Sequence, residues 1–181
     1  MKKNYLILIL LLIGTRSISQ FNSANLQAAG LTCAMCSKAI NKSLEKLAFV
    51  EKVTADIKTS SFDIVFKKET MVDFDAIKKA VIDAGFSVAK LKITGIFSST
   101  AIQNEKHIQL NGKTFHFLNI TNQILDGEKT LVITDRDFLS AKEFKKYSAT
   151  TKMTCQQTGK AGSCCIKDGI EKDTRIFHVT I

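Results

Sequence analysis

The 181-residue sequence contains no proline and no tryptophan. It also lacks the motifs of common catalytic sites: there is no HExxH motif, no nucleophile elbow and no glycine-rich phosphate loop. After its first twenty residues the chain has no apolar run of the roughly twenty residues that span a bilayer. These absences predict a binding protein that is not an enzyme.

Residues 1–19 have the features of a secretory signal peptide. Lys2 and Lys3 precede an apolar run at residues 5–13, and small serines follow at the positions that a signal peptidase reads. We therefore expect cleavage before Gln20, export to a bacterial periplasm and no stable membrane insertion afterwards. An uncleaved anchor is the alternative.

The sequence GLTCAMC at residues 30–36 places Cys33 and Cys36 at the start of a predicted helix. A helix N-terminus stabilises negative charge and so favours metal-binding thiolates. Two nearby thiolates suit Cu(I), Zn(II) or Hg(II) and disfavour Mg(II) and Ca(II). A redox-active thiol pair is the alternative. Thioredoxin-like enzymes place a cis-proline against their cysteines and commonly a tryptophan beside them, so the absence of both counts against it.

Regular apolar patterns surround this motif. They predict two helices, at residues 37–49 and 74–84, and four strands, at residues 26–28, 53–57, 62–66 and 89–93. Asp73 can cap the second helix, and Gly85 suits the left-handed residue that follows its end. The order β-α-β-β-α-β is the ferredoxin-like pattern of an α+β fold.

Residues 26–93 resemble the heavy-metal-associated domain, the family of copper chaperones, metal-ATPase amino-terminal modules and periplasmic mercury-binding proteins. The family motif is usually Met-x-Cys-x-x-Cys, and Leu31 stands at the Met position, where the side chain packs beneath the loop. Residues 83–86, Asp-Ala-Gly-Phe, match a loop near the metal. Cytosolic copper chaperones often have lysine in this loop, whereas Phe86 is more similar to the ATPase modules and mercury binders.

The resemblance implies that Cys33 and Cys36 hold one metal ion, Cu(I) in first place, in a nearly linear arrangement. The ion passes on when a partner's thiolate joins its coordination shell. Partners would be a metal donor or acceptor, such as a metal-transporting ATPase or an efflux component. The sequence thus predicts an exported Cu(I) carrier or scavenger. Periplasmic mercury or zinc binding is one alternative, and thiol-disulfide exchange is an alternative of another class.

The formal net charge is +9 at pH 7. The lysines are scattered over predicted helix faces and turns, without a basic stripe interleaved with aromatic residues, so nucleic-acid binding is not predicted.

A domain boundary is expected between a metal-binding domain at residues 24–94 and a small β-rich domain of unknown role at residues 95–181. In the second domain, Asn111-Gly112 predicts a type I′ hairpin that places His107 opposite His116. Two imidazoles across a ladder are within reach of one ion, and a solvated sheet face is the ordinary alternative.

The rest of this half shows weaker patterns. Asp126-Gly127 predicts a turn before a strand, Ser140 begins a capping box, and residues 176–181 alternate as a last strand. Several strands with one helix before the last of them suggest a small barrel similar to an OB-fold.

Three cysteines, Cys155, Cys164 and Cys165, lie in a segment predicted to be a long loop. One interpretation is a disulfide from Cys155 to Cys164 or Cys165, formed in an oxidising compartment. A second is a further soft-metal site, with Met153 or His178 as an added ligand. The third is thiols without a role.

Overall fold

The computed structural model describes residues 20–31 and 34–181. The predicted signal peptide and Cys33 lie outside these described residues. The strands are β1 (Gln20–Ala29), β2 (Val50–Asp56), β3 (Ser61–Phe66), β4 (Ser87–Ile102), β5 (His107–Leu110), β6 (Lys113–Phe117), β7 (Gln123–Ile133) and β8 (Ile176–Thr180). The helices are α1 (Ala34–Glu45), α2 (Phe74–Asp83), α3 (Ala141–Ser148), α4 (Cys155–Thr158) and α5 (Ser163–Ile166), with a 3₁₀ turn at Arg136–Phe138.

All eight strands form one sheet in the order β2-β3-β1-β4-β7-β8-β6-β5. The pairs are antiparallel except for β6 and β8, which are parallel. The first four strands, with α1 and α2 packed against them, have the predicted β-α-β-β-α-β arrangement. Asp73 caps α2 as predicted, because its side chain accepts a hydrogen bond from the Ala76 N–H.

Strand β4 joins the two halves of the chain. It pairs with β1 on one edge and with β7 on the other. The expected boundary between residues 94 and 95 therefore lies inside a continuous strand. The OB-like barrel is wrong, because β7 extends the open sheet from the free edge of β4 and leaves β2 and β5 as its edges.

The expected turn at Asp126-Gly127 is also wrong, since both residues lie within β7. Gly127 has a φ of +69°. The ladder shifts register between Phe97 and Thr100, and the Asp126 carboxylate accepts a hydrogen bond of 3.1 Å from the Ser99 N–H. An Asp-Gly pair serves a bulge as well as a turn, because both need a residue with positive φ.

The two halves share one hydrophobic core. Phe21 and Phe74, from the first half, contact Phe115 and Phe177, from the second half. On the opposite face of β6 and β8, the segment that carries α4 and α5 forms a second, smaller apolar cluster: Cys155, Ala161, Cys165, Ile170 and Ile176. Both faces of β8 are consequently buried.

Across residues 20–31 and 34–181, no helix combines the length and apolar character required to traverse a bilayer.

Candidate metal centre

The first candidate site lies where β1 leads into α1. Cys36 is the third residue of α1, in its first turn, and its side chain is partly exposed. The N–H groups of a helix's first turn lack helical partners and favour an anionic ligand such as a thiolate. The adjacent Met35 is 75% exposed, so this end of the helix faces solvent.

A second loop lies beside this one. Ala29, at the end of β1, pairs with Ser87, at the start of β4, and this pairing brings residues 84–86 next to the loop that begins at Gly30. Gly85 has a φ of +89° and donates to the Ile82 carbonyl at 2.8 Å.

The end of α2 fixes the position of Phe86. The Phe86 N–H donates to the Val81 carbonyl at 3.1 Å, and together with the Gly85 bond this forms a Schellman motif. Phe86 and Leu31 both pack, partly buried, against the main core. Leu31, the residue at the Met position of the motif, therefore contributes to the core.

The sequence profile of the heavy-metal-associated domain family matches residues 26–87. These residues are a heavy-metal-associated domain. The prediction made from the motif is confirmed for this segment.

Other proteins are similar to part of this chain. A probable copper-exporting P-type ATPase of Archaeoglobus fulgidus is 37% identical over 62 residues, which are 34% of this chain and 8% of that protein. The chain thus spans a small fraction of that relative's length. Among solved structures, the yeast copper transporter domain CCC2A is 30% identical, with 37% of this chain and 90% of that chain covered and a TM-score of 0.33. Oxidized MerP from Ralstonia metallidurans is 28% identical, with 39% of this chain and 96% of that chain covered and a TM-score of 0.34.

The second candidate site lies outside the heavy-metal-associated domain. Its histidines form one row across three neighbouring strands: His107 in β5 pairs with His116 in β6, and His116 pairs with His178 in β8. The rings of His107 and His116 stack with centroids 4.4 Å apart, and those of His116 and His178 meet edge to face at 5.1 Å. The predicted pairing of His107 with His116 is confirmed.

All three imidazoles approach the sulfur of Cys155, the first residue of α4. The distances to its Sγ are 3.3 Å from His178 Nε2, 3.9 Å from His116 Nδ1 and 4.0 Å from His107 Nε2. Cys155, His116 and His178 are fully buried. The alternative of a solvated sheet face is therefore wrong, because the segment that carries α4 and α5 covers this side of the sheet.

Two of the rings are held by carboxylates. His178 Nδ1 lies 2.6 Å from Asp135 Oδ1, and His107 Nδ1 lies 2.8 Å from Asp168 Oδ2. The hydrogen bond from His107 lowers the pKa of Asp168. Burial, followed by the nearby rings of the other two histidines, lowers the pKa of His116 to about 3, so this ring is uncharged at neutral pH.

The three cysteine sulfurs lie within 4.8 Å of one another. The three residues are thiols in the structure, and the Sγ atoms of Cys164 and Cys165 are 3.5 Å apart. Burial raises the pKa values of Cys155 and Cys165. Burial also opposes ionisation of the partly exposed Cys164, but hydrogen bonds with Thr154 and Cys165 outweigh it and lower the pKa of this thiol to about 7.

The structure thus brings together residues that the sequence suggested separately, namely the histidine pair on one hand and the three cysteines with His178 on the other. Met153 packs against the small apolar cluster around Cys155. Sequence reasoning found no acidic partner for the histidines and missed Asp135 and Asp168. One signal was available, since all three histidines and three of the five cysteines fall after residue 100.

Proposed function

We propose that this protein is an exported carrier or scavenger of Cu(I), and that its heavy-metal-associated domain holds the ion between the thiolates of Cys33 and Cys36. The observation that carries the proposal is the position of Cys36 in the first turn of α1, on a domain of this family. A probable copper-exporting ATPase is 37% identical to this chain over 62 residues. Export rests on the signal features of residues 1–19.

Transfer would proceed by ligand exchange. A thiol of the acceptor loses its proton and joins the coordination shell of Cu(I), and one cysteine of this protein then leaves and takes up a proton. A second exchange completes the transfer. The oxidation state of copper does not change, so no oxidant or reductant is needed and no catalytic group is required.

The exposed first turn of α1 suits this exchange, because an acceptor's thiolate can approach Cys36 from solvent. The acceptor would be a metal-transporting ATPase or an efflux component. Mercury is the second candidate cargo, which Phe86 in the loop beside the motif and an exported location both permit.

The test is an anaerobic titration of the reduced protein with Cu(I) against a competing chelator. We expect the Cys33→Ser/Cys36→Ser variant to lose one tight equivalent, with affinity weakened by more than about 100-fold, since removing a side chain that only orients a ligand already costs about 10- to 100-fold. Met35→Ser is the matched control, because it changes an exposed residue between the two cysteines and should keep the equivalent.

Unchanged stoichiometry and affinity in the double variant would overturn the carrier proposal. Rapid insulin reduction by the wild-type protein, abolished in Cys36→Ser, would instead support thiol-disulfide exchange. If Hg(II) but not Cu(I) bound at this site, the cargo would be mercury.

A further inference from the structure

The sulfur of Cys155 lies at the centre of an unusual concentration of metal-binding groups. Three imidazole nitrogens lie within 4.0 Å of it, and the sulfurs of Cys164 and Cys165 lie within 4.8 Å. In a zinc site with bonds of about 2.0 to 2.3 Å, neighbouring ligand atoms are separated by about 3.3 to 4 Å. The donors around Cys155 therefore need to move by less than about 1 Å to share an ion.

Hydrogen bonding alone does not account for this arrangement. A carboxylate accepts hydrogen bonds, so the Nδ1 atoms of His178 and His107 donate to Asp135 and Asp168. A ring with its single proton on Nδ1 presents a lone pair on Nε2, the atom that faces Cys155. The Cys155 thiol has one proton and can donate it to only one of these two Nε2 atoms. Buried polar atoms are normally paired, and a cation in contact with both nitrogens and the sulfur would satisfy them all.

The carboxylates also serve a purpose that a metal site requires. Histidines that bind metal ions commonly donate their other ring N–H to a carboxylate, which fixes the ring orientation and raises the basicity of the ligating nitrogen. Asp135 and Asp168 hold His178 and His107 in this way at 2.6 and 2.8 Å. Each carboxylate lies on the side of its ring that is remote from Cys155.

We propose that Cys155 is the central ligand of a second Cu(I) site, which takes its nitrogen ligands from the row of His107, His116 and His178 on one side and has Cys164 and Cys165 on the other. Binding releases the thiol proton of Cys155 to water and leaves the oxidation state of copper unchanged. Cys164, the partly exposed thiol of the group, is the entry point for the ion.

The arrangement of the donors favours Cu(I) over Zn(II). In the described part of the chain, the mutually close donors occur in threes, His107 with His116 and Cys155, and Cys155 with Cys164 and Cys165. Structural zinc sites almost always use four ligands. Cu(I) bound by one thiolate and two neutral imidazoles carries no net charge, and this lowers the free-energy cost of burying the ion. Mg(II) and Ca(II) prefer oxygen ligands.

The experiment uses the full chain with Cys33→Ser and Cys36→Ser, so that the heavy-metal-associated domain no longer contributes. We expect this reduced protein to bind at least one equivalent of Cu(I) tightly in anaerobic chelator competition. X-ray absorption at the copper edge should show both sulfur and nitrogen ligands. Adding Cys155→Ser should weaken binding by more than about 100-fold, for the reason given for the first site.

Because Cys155 is buried, its variant is checked for native circular dichroism, and Asp168→Asn provides an independent test. Asp168 touches the site only through His107, so we expect a loss of about 10- to 100-fold. Asp173→Asn is the matched control, since it makes the same change at an exposed position of the same segment and should have no effect.

A folded Cys33→Ser/Cys36→Ser protein without a tight equivalent would overturn the second site. Unchanged Cu(I) affinity after Cys155→Ser or Asp168→Asn is added to that protein would also overturn the second site. The carrier proposal fails on a different comparison, wild type against Cys33→Ser/Cys36→Ser, so the two proposals can be rejected separately.

Discussion

Replacing Phe74 with alanine should lower the free energy of unfolding by about 3 to 5 kcal/mol, the usual cost of removing a buried aromatic ring. Phe74 is fully buried at the start of α2. Its ring meets Phe21 at a centroid distance of 5.3 Å, Phe177 at 5.2 Å and Phe115 at 6.3 Å. The cavity would open in the middle of a core that both halves share.

The measurement is chemical denaturation followed by far-ultraviolet circular dichroism and by an independent probe in each half. We expect one transition in the wild-type protein and one in Phe74→Ala, because neither half buries these rings without the other. Phe49→Ala is the control. Phe49 is partly exposed and its ring meets only Phe66 among the described aromatic residues, so the loss should be smaller. Two separate transitions would contradict the shared core.

The heavy-metal-associated domain could be predicted from sequence because its signals are local. Asp73 and Gly85 mark the ends of α2, and the pattern of apolar residues identifies α1 and the paired strands. The length of β4 could not be predicted, because an alternating pattern does not show how far a strand continues once it acquires a second neighbour. The predicted domain boundary at residue 94 falls inside β4 for this reason.

The second candidate site was only partly predictable because it depends on long-range pairing. The His107–His116 pair follows from a tight turn, which is a local signal. The neighbour of His116 on its other side is His178, sixty-two positions later in a parallel strand, and no turn residue specifies this pairing. The segment that contains Cys155 resembles a loop in composition, and only its packing over β6 and β8 shows that it buries the histidine row.

The second large effect is expected at Arg175, which connects α2 to the histidine row. Its guanidinium makes two hydrogen bonds to Asp75, at 2.8 and 3.2 Å, and lies 2.9 Å from Asp135. Asp135, which is 5% exposed, is in turn hydrogen-bonded to His178. Arg175→Met should lower the free energy of unfolding by about 3 kcal/mol, because it leaves the buried Asp135 carboxylate without its cation. The lower end of the usual range applies, since the Arg175 side chain is 30% exposed.

Three further variants, Asp135→Asn, Asp135→Asn/Arg175→Met and Lys79→Met, identify the cause. Asp135→Asn/Arg175→Met should be less destabilised than the sum of the single variants, since the unpaired charge is gone. Lys79→Met is the control. It removes a cation from an exposed pair with Asp83 and should cost less than about 1 kcal/mol. Strict additivity, or an equal loss in Lys79→Met, would show that Arg175 acts through packing of its aliphatic stem.

The dependence on pH provides a separate check. Burial raises the pKa of Asp75. Hydrogen bonding and charge attraction from Arg175, with a smaller effect of Lys78, lower this pKa by more than burial raises it, so it lies below the ordinary 3.8. A carboxyl whose pKa is lower in the folded state binds fewer protons when folded than when unfolded. Its contribution to stability is therefore present above the unfolded pKa of 3.8 and is lost as the pH falls through the lower, folded-state pKa. The difference in stability between the wild-type protein and Arg175→Met should therefore shrink as the pH is lowered below about 4. A difference that stays constant down to pH values where Asp75 is protonated would mean that this ion pair contributes nothing to the connection between α2 and the histidine row.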